Sequence, residues 1–151
     1  MTDAARTATP HGTFPLIVHS HLRWDFVWQR PQQILSRFGR QHPVLFVEEP
    51  VFADDMAAGS LDVRAVCTKV HRVVPRLPTR LRASYDEAAI AVRALLQQLL
   101  LGRGALAREF ERGVQWFYTP MPAPIMIDEF NERGVVYDCM DELTQFRFAP
   151  P

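Results

Sequence analysis

The chain has 151 residues, 48% of them hydrophobic and 23% charged, which is enough for one soluble domain with its own core. Its 17 Lys and Arg balance its 17 Asp and Glu, so it lacks the basic surplus that a general nucleic-acid binder needs to neutralise phosphates. Apolar stretches such as Leu99-Leu100-Leu101 are far too short to cross a bilayer, and the opening MTDAARTATPHGT lacks the apolar segment of a secretory signal.

Residues 1–13 read as a disordered lead-in and residues 14–151 as the folded domain. The first predicted element is a buried strand, Pro15 to Ser20, apolar and rich in β-branched residues. A charged, aromatic corner follows. Pro31 then fits the first position of a helix, where its missing N–H costs nothing, and Ile34, Leu35 and Phe38 give that helix an apolar face up to Gly39. Pro43 to Pro50 is the second strand. Strand, helix and strand in so short a span make a βαβ unit, which implies a parallel pair.

Residues 51–60 read as a loop. From Leu61 the residues alternate apolar and polar, a strand or short hairpin, and residues 75–84 read as an irregular basic connector. Ser84 and Glu87 form a capping-box pair, after which Val92, Leu95, Leu96 and Leu99 predict an amphipathic helix to about Leu101. A short helix is expected over 105–112, a strand over Val114 to Pro120, a short helix near Ile125, and a last strand over Val135 to Tyr137. The whole is an α/β, Rossmann-like, doubly wound and mostly parallel sheet. Ligands of such sheets sit beyond the carboxyl ends of the strands. Cys67 and Cys139 are far apart with no CxxC spacing, and read as buried reduced thiols of a cytoplasmic protein.

The strand ends hold the candidate chemistry. The first corner has neither GxGxxG nor a P-loop, which argues against a pyrophosphate cradle. It offers Arg23, Trp24, Asp25, Trp28, Gln29 and Arg30 instead: either a ligand wall of indoles and polar groups, or a packed corner with solvated arginines. Asp138, Asp141 and Glu142 follow the last strand, where an acid can take a proton from an acceptor hydroxyl or cap the next helix. Glu48-Glu49-Pro50 reads as a solvated turn more readily than as a binder of hydroxyls. His19 and His21 point the same way on an extended chain, but no third ligand accompanies them, so no metal site is expected; His19 remains a polar contact or base. The basic run from Lys69 to Arg82 is a solvated connector, or a contact for anionic lipid or a phosphate-bearing acceptor.

The segments SHLRWDFVWQRPQQILSR, VLFVEEPVF, WFYTPM and VVYDCMDELTQF, in that order, resemble the N-terminal domain of bacterial GT-B glycosyltransferases of the family 4-like group, over roughly residues 15 to 149. The resemblance implies a domain that binds a saccharide or lipid-linked acceptor, facing a second domain that holds a nucleotide-sugar donor, with no bound metal or other cofactor. It implies an enzyme of cell-envelope polysaccharide synthesis, cytoplasmic and touching the inner membrane face. It makes the first corner the acceptor wall, gives Arg30 a further contact with the donor diphosphate, and makes Asp141 or Asp138 the catalytic base. The family's donor domain has no counterpart in these residues, and no helix is predicted after the last strand. The expectation is therefore an incomplete domain, inactive alone; the alternative is a non-catalytic α/β binding module or the remnant of a truncated gene.

Overall fold

The computed structural model describes residues 12–140; residues 1–11 and 141–151, and with them most of the expected lead-in, Asp141, Glu142 and the end of the chain, lie outside the described residues. The described chain forms β1 (Leu16–Ser20), α1 (Arg30–Phe38), β2 (Val44–Glu48), β3 (Val51–Ala53), β4 (Ser60–Cys67) and β5 (Val70–Pro78). A 3-10 turn (Thr79–Ala83) leads to α2 (Tyr85–Leu100), α3 (Ala105–Glu109), β6 (Val114–Phe117), α4 (Ala123–Met126) and β7 (Gly134–Tyr137).

The sheet is mostly parallel and flanked by helices, a Rossmann-like α/β fold. β1 lies at its centre, with β2 on one side and β6 on the other, both parallel to it. β5 extends the sheet beyond β2, and β7 extends it beyond β6. The exception to parallel pairing is β4, which runs antiparallel along β5 as a hairpin. Chain order reverses at β1, so the crevice between the tips of β1 and β6 is the topological switch point, where such sheets bind ligands.

β1 and β2 are buried on both sides, yet their residues still sort by alternation. Leu16, Val18, Val44 and Phe46 meet Leu35 of α1 and Trp24 on one face. Ile17, Leu45 and Val47 meet Val92, Leu96 and Leu100 of α2 on the other, with Phe110, Phe117 and Met126. Helices on opposite faces are what a doubly wound sheet requires.

Helix ends follow local chemistry. α2 starts where expected: the Ser84 hydroxyl accepts from the Glu87 N–H at 3.3 Å, with Asp86 and Glu87 suiting the positive end of the helix. Ser84→Ala should cost about 1 kcal/mol, the usual worth of such a cap, measured as a shift in the urea midpoint; an unchanged midpoint would show that the cap contributes nothing. α1 begins at Arg30, one residue before Pro31. Gly39 ends it with an ordinary φ of −57°. Glycine is needed there for space, because a Cβ would lie 2.5 Å from the Thr68 carbonyl oxygen.

Several expectations need correction. Residues 51–53 are a strand, not loop: β2 and β3 lie along the same edge of β5, opposite β4. Val47 pairs with Val73 and Val51 with Arg76, so Glu48-Glu49-Pro50 spans the length of Val74-Pro75 and bulges. Pro75 to Pro78 belong to β5 rather than to an irregular connector, because β3 and β4 flank them. Cys67 and Cys139 are exposed, not buried. Among the described residues no helix is long and apolar enough to cross a membrane.

Candidate functional site at the strand tips

The edge of the sheet beyond the strand ends carries two arrangements, one on each face. On the α1 face is the aromatic corner. Its organiser is Gln32, 1% exposed. The Gln32 Oε1 accepts from the Gln29 N–H at 3.1 Å, and its Nε2 donates toward the carbonyls of Arg23 (3.2 Å), Trp24 (3.1 Å) and Val27 (3.3 Å). One amide thus holds a turn of backbone that forms no regular ladder of its own.

The two indoles divide between the two readings of the corner. Trp24 is a core residue, packed edge-on against Phe46 at 5.1 Å, and does not present its ring to solvent. Trp28 is 57% exposed and follows the exposed Phe26 and Val27, so three successive apolar side chains face outward. Asp25 is ion-paired with Arg72, which also lies 3.9 Å from Asp62. Arg30 reaches both oxygens of Asp138, at 3.0 and 3.1 Å, joining the start of α1 to the end of β7. Nearby Tyr118 is buried, and among the described residues its hydroxyl has no partner. Burial pushes that phenol's pKa well up; Asp138 adds to the shift and Arg30 opposes it.

Glu48 is buried rather than a solvated turn. It accepts from the Trp24 N–H at 2.8 Å and from Arg23 at 3.0 Å, and Arg23 also donates to the Glu49 carbonyl at 2.7 Å. The carboxylate ties the corner to the β2–β3 bulge.

On the α2 face is a cavity of about 250 Å³. Its walls come from the tips of β1 (His19, Ser20), β2 and its bulge (Val47, Glu49), and β6 (Thr119). The start of α2 closes it with Tyr85, Ala89 and Val92, and Arg82 lies over the Phe52 ring, 5.2 Å from its centroid. Burial, Glu49 and Asp86 push the Tyr85 phenol up to about 12, so it is protonated and can donate at neutral pH. Of the expected site residues, His19 alone lines this cavity; Arg23, Trp24, Asp25, Trp28, Gln29, Arg30 and Asp138 do not.

His19 is 3% exposed and stacks on Phe117 at 4.5 Å. Its Nε2 lies 2.8 Å from Oε1 of the buried Gln115. The Gln115 amide nitrogen lies 2.7 Å from Glu132 Oε1 and 2.8 Å from the Met126 carbonyl oxygen. Both are acceptors, so the orientation of this amide is dictated, and its oxygen must accept from His19 Nε2–H. Burial works against the ionised Glu132. The hydrogen bonds from its own N–H, those of Asp128 and Phe130, and the Gln115 amide outweigh it, leaving the pKa below the ordinary value. His19 is lowered to about 4, chiefly because burial disfavours the charged ring; Gln115 and Glu132 oppose this only in part. Its resting state is a neutral imidazole with Nε2 protonated.

Thr119, at the tip of the WFYTP strand, reaches the crevice as its place in the sequence allowed, whereas Gln115, Glu132 and Tyr85 are absent from the expected set. Gln115 did carry a signal: it is the one polar side chain between Val114 and Trp116 in a central strand, and such a residue must find buried partners. Among the described residues no group of three His, Cys, Asp or Glu side chains is placed to hold a metal, and His21 does not join His19 in one. No family model, curated protein or solved structure matches this chain.

Proposed function

We propose that the chain is the acceptor-side domain of a glycosyltransferase, passing a sugar from a nucleotide-sugar donor to a hydroxyl acceptor. One observation supports this most: the four segments that resemble such enzymes meet at one edge of the sheet. Glu48 of the second segment bonds to Arg23 and Trp24 of the first. Arg30 of the first bonds to Asp138 of the fourth. His19, at the end of β1 beside the first segment, and Thr119 of the third line one cavity with Glu48 and Glu49. Ligand contacts on a doubly wound sheet are drawn from such separated tips.

In this reading the exposed Phe26, Val27 and Trp28 form the wall that a saccharide or lipid-linked acceptor lies against. The acceptor oxygen bonds to the anomeric carbon as the sugar–phosphate bond breaks; the hydroxyl proton goes to a carboxylate, and the nucleoside diphosphate leaves with the bonding electron pair. Asp138 and Asp141 are the candidate carboxylates. Asp138 has both oxygens engaged by Arg30, so an acceptor hydroxyl must displace one of those bonds to reach it.

The test is calorimetry of this chain with UDP- and GDP-sugars. The expected result is no binding, because the donor site of this enzyme class lies on the other domain. Tight binding of any of them would overturn the acceptor-side assignment.

A further inference from the structure

The cavity on the α2 face, apart from the aromatic corner, combines features that select a ligand. Its floor is apolar, from Val47, Ala89, Val92 and Met126. Its rim carries polar groups: the Thr119 hydroxyl and the Tyr85 phenol, which make no hydrogen bond among the described residues, and the Glu49 carboxylate, whose charge interacts with His21 and Arg23. His19 lines the cavity, and once its Nε2 is committed to Gln115 its Nδ1 keeps a lone pair with no partner among the described residues. The volume of about 250 Å³ falls below the roughly 300–1,000 Å³ of pockets that enclose drug-sized ligands. A nucleotide-sugar is too large for it. One ring with a C–H face and a hydroxyl rim has the right size and polarity.

We propose that this cavity binds a single sugar ring, one of whose hydroxyls donates to Nδ1 of His19, and that Gln115 and Glu132 are positioning residues that enforce the required tautomer. The chain of bonds runs from Glu132 through Gln115 to His19. Without Glu132 and the Met126 carbonyl oxygen, the Gln115 amide could turn over and offer N–H to the ring, and Nε2 would then become the acceptor. With them, that state is closed. The imidazole acts as a hydrogen-bond acceptor rather than a general base: with a pKa of about 4 it holds a captured proton poorly at neutral pH.

The choice of a sugar rests on the transferase reading; the tautomer relay does not. The experiment is nitrogen NMR of the chain with labelled histidine, first alone and then with methyl glycosides of glucose, mannose and galactose. At pH 7 the free protein should show His19 wholly in the Nε2–H form, and Gln115→Met should mix the two tautomers. Glu132→Gln is the milder second variant, expected to give a smaller admixture. A glycoside that fits should shift His19 Nδ1, and Gln115→Met should weaken its binding about tenfold, the worth of one neutral hydrogen bond. A free protein in the Nδ1–H or doubly protonated form would overturn the relay. The expected tautomer with no Nδ1 shift for any glycoside would overturn the sugar assignment. Glycoside binding at His19 together with tight nucleotide-sugar binding would keep the cavity and sink the acceptor-side reading.

Discussion

Between pH 7 and pH 5 the protein should lose about 2 kcal/mol more stability than its His19→Gln variant. The folded state holds His19 neutral down to about pH 4, whereas the unfolded chain takes up a proton near the ordinary value of 6.5. A depressed folded pKa means that the unfolded state binds more protons throughout that window. Stability is therefore intact above about 6.5 and falls as pH drops toward 4, by about 3 kcal/mol in all. Glutamine lacks the titration but can still place an N–H near Gln115. Glu132 also has a lowered folded pKa, and its loss begins only below the ordinary carboxylate value of 4.5, outside the pH 7 to 5 comparison. The other histidines are present in both proteins and cancel. Urea midpoints at the two pH values measure the effect, and parallel losses in the two proteins would show that His19 is not buried neutral.

Gln32→Leu should cost about 3 kcal/mol and loosen the corner, although leucine is close to glutamine in size. The amide has no solvent to fall back on, and its partners are backbone groups of Arg23, Trp24, Val27 and Gln29. Removing it leaves the Trp24 and Val27 carbonyls and the Gln29 N–H short of a partner and the Arg23 carbonyl with only a long bond from the Phe26 N–H. Trp24 and Trp28 lie edge to face at 6.0 Å, so the release should appear as altered tryptophan fluorescence before global unfolding. Gln29→Ala keeps the backbone N–H that Gln32 accepts but removes the half-buried side chain that joins the capping box at the start of α1, so it should cost about 1 kcal/mol, clearly less than Gln32→Leu. A Gln32 variant as stable as Gln29→Ala would mean that packing alone holds the corner.

The architecture was legible because period and punctuation agree: apolar runs for β1 and β2, the spacing of α2, and proline and serine at helix starts. The site was legible only in part. Trp24 and Trp28 are four residues apart and chemically identical, and only the packing of Phe46 beneath one of them decides which is core. Glu48 looked solvated because nothing in its neighbourhood of sequence shows that Trp24 and Arg23 will close over it. The cavity was invisible because Tyr85 and Ala89 reach it from a helix that the chain order places far from His19. β3 was missed because its three residues become a strand by lying along β5, which exists only after the hairpin has formed.

The central place of β1 also governs how the molecule is made. Its second neighbour, β6, is encoded about a hundred residues later. At synthesis rates of roughly 5–20 residues per second, one edge of an apolar strand waits roughly 5 to 20 seconds for its partner to leave the ribosome. During that time β1, β2, β5 and the hairpin can assemble, but the face that α3 and α4 cover stays open. Until β6 arrives, the nascent chain carries an unpaired apolar strand edge, the kind of surface that makes incomplete chains prone to aggregate.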